Sequence, residues 1–158
     1  MSTAPMLEVA IHDGPVAVVD LAWPADCGAE ALFVGRTRGE TNDRLGDLVR
    51  LEYEVYEPMA SNLLKAMALA AAQRFDGRAV RIVHARGPVA PGQASVVIQV
   101  ACSHRAEAFA ACRHLIERIK HELPVWKRQI WERGQTFVDG CCAAPAGELG
   151  QANARTPT

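Results

Sequence analysis

The chain has 158 residues, with 17 basic and 18 acidic side chains, so its formal net charge at pH 7 is −1. This balance argues against nucleic-acid binding, which usually requires a strongly basic surface. About half of the residues (49%) are hydrophobic, enough to form a core, and the length is typical of one domain. Without a run of about 18 apolar residues or a signal-like N-terminus, the sequence predicts a cytoplasmic protein.

The five cysteines do not form a pattern typical of disulfides or metal sites. Their number is odd, and no pair has C-x-x-C spacing. They are Cys27, Cys102, Cys112, Cys141 and Cys142. We interpret them as reduced thiols. The histidines are scattered without ligand spacing, so we predict no metal and no cofactor.

In the first half of the chain, alternating apolar residues predict strands over residues 7–11, 30–34 and 48–55. Residues 16–22 are apolar and fit either a strand or a short helix. Polar, glycine-containing residues follow position 34, so we expect the strands at 30–34 and 48–55 to pair as a hairpin with a long basic loop. Pro58 and an alanine-rich segment then predict a helix that ends near Phe75.

In the second half, residues 79–85 and 94–102 read as strands, separated by turns at residues 86–88 and 91–92. Ser103 is a good N-cap for a second helix, which Pro124 ends. We expect its buried stripe to contain Phe109, Cys112, Ile116, Ile119 and Leu123. A last strand follows over residues 125–132.

This order of elements is typical of an α+β fold with two main helices on a mainly antiparallel sheet. We expect a single catalytic domain over residues 1–140. Residues 141–158 are small, polar and aperiodic, which predicts a disordered tail.

The Ser103-His104-Arg105 triplet places two basic side chains at the predicted N-terminus of the second helix. Free backbone N–H groups there, together with these donors, would suit a phosphate or carboxylate. An ordinary helix cap with two solvated side chains is the simpler interpretation, and the residues alone favour it.

Lys120 and Lys127 flank the proline that ends this helix. Lys120 suits the negative end of the helix dipole, while Lys127 falls on a strand among apolar and aromatic residues. Such a lysine loses solvation and can act as an acid, a base or a nucleophile. Its alkyl chain could instead simply pass along Trp126, and the two interpretations are evenly balanced.

Four segments together resemble the MoaE family, the large catalytic subunit of molybdopterin synthase. They are FVGRTR at residues 33–38, LEYEVYEPMA at 51–60, SHRAEAFAACRHLIERIK at 103–120 and PVWKRQ at 124–129. The resemblance covers roughly residues 5 to 140. It implies an α/β-hammerhead type of α+β fold with a small extra antiparallel sheet.

The resemblance also implies an activity and two kinds of partner. The family's large subunit forms a homodimer, and each end binds a small ubiquitin-like, MoaD-like subunit to give a heterotetramer. The small subunit's Gly-Gly C-terminus carries a thiocarboxylate, which donates sulfur to cyclic pyranopterin monophosphate (precursor Z) to make the molybdopterin dithiolene. An alternative function is a non-catalytic module that binds a ubiquitin-like tail or a phosphorylated metabolite.

Carried over by position, the resemblance makes Lys120 and Lys127 the catalytic residues. It assigns the substrate phosphate to a basic pocket partly built by the neighbouring subunit. The residues of that pocket are Arg38, His104, Arg105 and, by a weaker match, Arg36. A helix of about 18 residues separates its two ends by roughly 27 Å. The sequence therefore predicts two half-sites that meet across a dimer.

Overall fold

The computed structural model describes residues 4–138, which form eight strands and two helices. The predicted tail over residues 141–158 lies outside these residues. In chain order the elements are β1 (Met6–Asp13), β2 (Ala29–Arg36), β3 (Thr41–Asn42), β4 (Gly46–Val55), α1 (Met59–Arg74), β5 (Gly77–Val89), β6 (Ala94–Cys102), α2 (Arg105–Glu122), β7 (Val125–Trp131) and β8 (Gly134–Val138). Neither helix of the described part is long and apolar enough to cross a membrane.

The 13-residue strand β5 joins two groups of strands. Along most of its length β5 pairs with β6 on one side and, in parallel, with β1 on the other. β6 in turn pairs with β2. Its last three residues instead pair with β4, which continues the sheet to β7 and β8. All these pairings except β1 with β5 are antiparallel. The expected α+β architecture, with a small extra antiparallel sheet, is confirmed.

Both helices pack on one face of the β5–β6 region and enclose the main core. From α1 this core takes Leu64 and Met67, and from α2 it takes Leu115 and Ile119, against Ile82 and Ile98 of the sheet. Leu64, Met67 and Leu115 have no exposed surface. Full burial of a large aliphatic side chain contributes about 1.5–3 kcal/mol, so these contacts hold α2 on the sheet.

The opposite face of the sheet carries a buried polar network. Arg81 donates to Glu8 (Nε–Oε1 3.0 Å) and to Gln99 (Nη1–Oε1 3.1 Å). Gln99 in turn donates to the Val19 carbonyl (3.0 Å) and to Glu30 (2.9 Å). The bond from Gln99 to Val19 holds the irregular segment that follows β1 against β6.

The predicted positions of both helices and of the six predicted strands are confirmed, with ends shifted by a few residues. The predicted hairpin is wrong: β2 pairs with β6, and β4 pairs with β5 and β7. Residues 16–22, which fitted either a strand or a short helix, form neither. Two short strands, β3 and β8, were not predicted.

Three local predictions are also wrong. The expected turn at residues 86–88 is part of β5, because Gly87 (φ +82°) allows the strand to bend from β6 towards β4. The N-cap of α2 is His104 and not Ser103. Phe109 is 67% exposed, and Ala108, Ala111 and Leu115 lie on the buried side in its place.

Candidate active site

A pocket of about 360 Å³ opens between the C-terminal end of α2 and the sheet, where β5 passes from one group of strands to the other. Strands β2, β4, β5, β6 and β7 also contribute to it. Its charged or polar side chains are Arg36, Arg38, Tyr53, His84, Ser95, Lys120 and Lys127. Its apolar wall consists of Phe33, Val96, Ile116, Ile119, Leu123 and Val125.

The two predicted catalytic lysines lie together in this pocket, although they come from different elements. Lys120 is in the last turn of α2, which ends as Leu123 turns into an extended conformation before Pro124. The chain reverses at once into β7, where Lys127 lies opposite Tyr53 of β4. Neither lysine forms an ion pair within residues 4–138.

Arg36 and Arg38 bring two more positive charges to the same pocket from the end of β2. Between them Thr37 is buried, and its backbone bonds to Gln93 and Gly92 (3.0 and 2.8 Å). Arg36 donates to the Gly92 carbonyl (Nη1–O 3.0 Å), whereas Arg38 is exposed and lies 3.8 Å from Glu40. None of the residues lining the pocket is acidic.

The pocket also contains His84 and Tyr53, which the sequence analysis did not select. His84 is only 7% exposed, and Tyr53 meets it edge-on, with ring centroids 5.4 Å apart at 79°. The Nδ1–H of His84 donates to the Ala85 carbonyl (2.8 Å). A sequence signal existed: His84 shares the helix-facing side of β5 with Val80 and Ile82, where a polar side chain is unusual.

Burial shifts the protonation equilibria of both rings. It lowers the pKa of His84, and the positive charge of Lys127 lowers it further, against the opposing effect of the Ala85 hydrogen bond. Burial raises the pKa of Tyr53, although a hydrogen bond with Ser95 acts in the other direction. The histidine is therefore held neutral and the phenol protonated near neutral pH.

His104 and Arg105, the other predicted binding residues, lie at the opposite end of α2. Both are exposed, and neither lines the pocket. The 18-residue helix separates them from Lys120 by roughly 27 Å. Within one subunit the structure thus unites Arg36, Arg38 and the two lysines, and it leaves the His-Arg pair apart.

The cysteines among residues 4–138 are not part of the pocket. Cys27, Cys102 and Cys112 are free thiols, and none lines the pocket. Burial raises the pKa of Cys102 and of Cys112 to about 11, so their reactive thiolate forms are scarce. Within residues 4–138 no three His, Cys, Asp or Glu side chains are grouped in a way that could hold a metal ion.

Comparison with known proteins identifies the family. The model of the family described as MoaE protein matches residues 11–122. The chain belongs to the MoaE family. A curated molybdopterin synthase catalytic subunit from Bacillus subtilis is 40% identical over 113 residues, which cover 72% of this chain and 71% of that protein. The predicted enzyme class, the catalytic subunit of a molybdopterin synthase, is confirmed.

Solved structures agree with this family assignment. Molybdopterin synthase from Staphylococcus aureus superimposes with a TM-score of 0.71 at 31% identity, covering 83% of this MoaE-family chain and 95% of that one. A complex of subunits 1 and 2 of molybdopterin-converting factor from Helicobacter pylori contains a chain of the same fold, with a TM-score of 0.65 and 19% identity. That match covers 83% of this chain and 90% of the other.

Proposed function

We propose that this chain transfers sulfur from the thiocarboxylated Gly-Gly C-terminus of a small ubiquitin-like subunit to cyclic pyranopterin monophosphate, giving the molybdopterin dithiolene. The observation that carries the proposal is the meeting of Lys120, Lys127, Arg36 and Arg38 in a pocket without acidic lining residues. Both reactants, a thiocarboxylate and a phosphate ester, are anions. Such a pocket attracts them and stabilises negative charge that develops during the reaction.

The two lysines have roles that fit their positions. Lys120 extends from a helix end beside the apolar wall, where it would bind the inserted thiocarboxylate tail. Lys127 is less exposed than Lys120 and lies on β7 between β4 and β8, where its ammonium would act on the substrate as a proton donor. Arg36 and Arg38, which enter the pocket from the end of β2, would hold the phosphate. Sulfur arrives on the partner, so the chain needs no catalytic cysteine.

The proposal includes assembly. His104 and Arg105 would complete the phosphate site of a second copy of the chain in a homodimer, and each end of the dimer would bind one small subunit. The two-subunit complex of the H. pylori relative supports a partner of this kind. The three free cysteines among residues 4–138 support a cytoplasmic location of the protein, because thiols stay reduced in the cytoplasm.

The test replaces each pocket lysine and measures turnover and partner binding separately. With precursor Z and thiocarboxylated small subunit, Lys120→Ala and Lys127→Ala should each lower dithiolene formation by about 10²–10³-fold, since each removes a charged donor from the site. The affinity for the small subunit, measured by calorimetry, should change by much less for Lys127→Ala.

Lys65 provides a matched control, because it is the one lysine of the sequence besides Lys120 and Lys127 and is exposed on α1, outside the pocket. Lys65→Ala should keep full activity. Full activity of either pocket variant would contradict the proposed roles. Normal partner binding by a wild-type chain that makes no dithiolene would instead support the non-catalytic alternative.

A further inference from the structure

The buried imidazole of His84 has a fixed orientation. A carbonyl oxygen can only accept a hydrogen bond, so the contact with Ala85 places the proton on Nδ1 and leaves the lone pair on Nε2. The edge-on contact with Tyr53 holds the ring plane. Since His84 lines the pocket, Nε2 is the basic atom that this ring can offer to reactants there.

No other side chain lining the pocket is as well suited to accept a proton. A guanidinium has no lone pair to offer, and a lysine ammonium has none either. Tyr53 is kept protonated by burial. Ser95 is 7% exposed and its hydroxyl donates to the Gly35 carbonyl (3.4 Å). His84, by contrast, is kept neutral by burial and by the charge of Lys127.

The proposed sulfur transfer contains a step that needs such a base. When the thiocarboxylate sulfur bonds to a carbon of the pterin, the C–O bond of an oxygen substituent on that carbon breaks and the oxygen leaves with a proton. The small subunit is then attached to the pterin through a thioester. Releasing the sulfur requires water: its oxygen bonds to the acyl carbon, the acyl C–S bond breaks, and the sulfur leaves as a thiolate on the pterin. One proton of the water must be accepted, and no oxidant or reductant takes part.

We propose that Nε2 of His84 is the general base that deprotonates this water and so frees the small subunit from the pterin. This role rests on the proposed function and assigns a residue to its hydrolytic step. The resulting imidazolium returns its proton to bulk water through the pocket opening. The pocket thus has two kinds of groups: the cations bind the anionic reactants, and the neutral imidazole of His84 deprotonates the water.

Five other charged or titratable side chains line the pocket with His84, and of these the positive charge of Lys127 lowers the pKa of His84. They are Arg36 of β2, Arg38 of the following loop, Tyr53 of β4, Lys120 of α2 and Lys127 of β7, whereas β6 lines the pocket without a charged side chain. With no lining carboxylate to stabilise an imidazolium, the base stays available at neutral pH.

The experiment uses the complete two-subunit enzyme and replaces His84 by Asn, which keeps a donor for the Ala85 carbonyl but is not basic. His84→Gln is the second variant, in case the first does not fold. Either should lower kcat about 100-fold. The small subunit should accumulate with the mass of an attached pterin in intact-protein mass spectrometry. Hydroxylamine, which cleaves thioesters, should release it as a C-terminal hydroxamate.

His114→Asn is the control, because His114 also contacts an aromatic ring, Phe75, but lies outside the pocket. It should show wild-type kcat and no adduct. Turnover within twofold of wild type in either folded His84 variant, or slow turnover without the adduct in both, would overturn the inference and leave the proposed function intact. A wild-type enzyme that makes no dithiolene would overturn both.

Discussion

The two ends of α2 differ in what surrounds their cationic side chains. At the C-terminal end, Lys120 joins Lys127 and two arginines around a pocket lined by five strands and the helix. At the N-terminal end, His104 and Arg105 are exposed, and the side chain of His104 makes no capping hydrogen bond to the helix. At the C-terminal end of α2, the fold of a single chain thus brings the cationic side chains together. At the N-terminal end, the exposed cationic side chains are available to another molecule.

The strongest test of this contrast combines two inactive variants. Lys127→Ala and Arg105→Ala should each lower activity about 10²–10³-fold. If each site uses Lys127 of one subunit and Arg105 of the other, random mixed dimers should regain about a quarter of wild-type activity, because half of the dimers are mixed and each has one intact site. Activity is measured on co-expressed, differently tagged chains.

The control co-expresses a chain that carries both substitutions with the Lys127→Ala chain. Because every subunit then lacks Lys127, no activity should be recovered. No recovery in the first mixture would show that Arg105 and Lys127 do not meet across the dimer.

The N-terminal end of α2 also depends on one close backbone contact. A Cβ at Gly28 would collide with the carbonyl oxygen of Ser103, next to the start of the helix. Gly28→Ala should therefore lower the free energy of unfolding by about 1–3 kcal/mol, as overpacking usually does. Chemical denaturation measures this change. Gly39→Ala is the matched control, because a Cβ there meets nothing within 4 Å, and it should be neutral.

At the pocket end, the exposed Arg38 should make a smaller difference than the lysines. Its side chain is 87% exposed and paired only loosely with Glu40, so it contributes a solvent-screened charge. Arg38→Ala should raise KM for the phosphorylated substrate about three- to tenfold and leave kcat nearly unchanged. Arg113→Ala, an exposed arginine on α2 that pairs with Glu117, should leave both constants unchanged.

The smallest effect concerns pH and stability. The pKa of His84 is lowered in the folded protein, so below the ordinary histidine pKa of 6.5 the unfolded chain binds more protons than the folded one. Stability contributed by neutral His84 is thus present above this pH and is lost as pH falls. The melting temperature should drop from pH 7.5 to pH 5.5, and His84→Asn should reduce that drop. An equal drop in the variant would contradict the assignment.

Residues with strong local preferences were predictable from the sequence. The β-branched run of β6 and the alanine-rich α1 gave correct elements because their side chains suit one backbone geometry in any context. Lys120 and Lys127 line the same pocket because a proline places them on adjacent elements, and their catalytic roles stay a prediction. The pairing of β2 with β6 was not predictable in this way, since it joins residues about 65 positions apart in sequence.

Other errors have local physical causes. A β-bulge between Leu48 and Arg50 changes the side that faces the core, so the strict alternation expected in β4 fails there. Phe109 is apolar but lies on the exposed side of α2, where alanines on the opposite side let the helix approach the sheet. His84 was missed because a single histidine in a strand has no spacing motif; only the pairing of β5 reveals its neighbours.

The parallel pairing of β1 with β5 has a consequence for synthesis of the chain. Met6 lies opposite Ala79, so the first strand has no partner until β5 is made. At 5–20 residues per second, the intervening segment of about 70 residues takes the ribosome about 4–15 s. During that time the open edge of β1 is available to other chains or to chaperones. β1 thus leaves the ribosome before every other described strand, yet it joins the sheet only when β5 has been made.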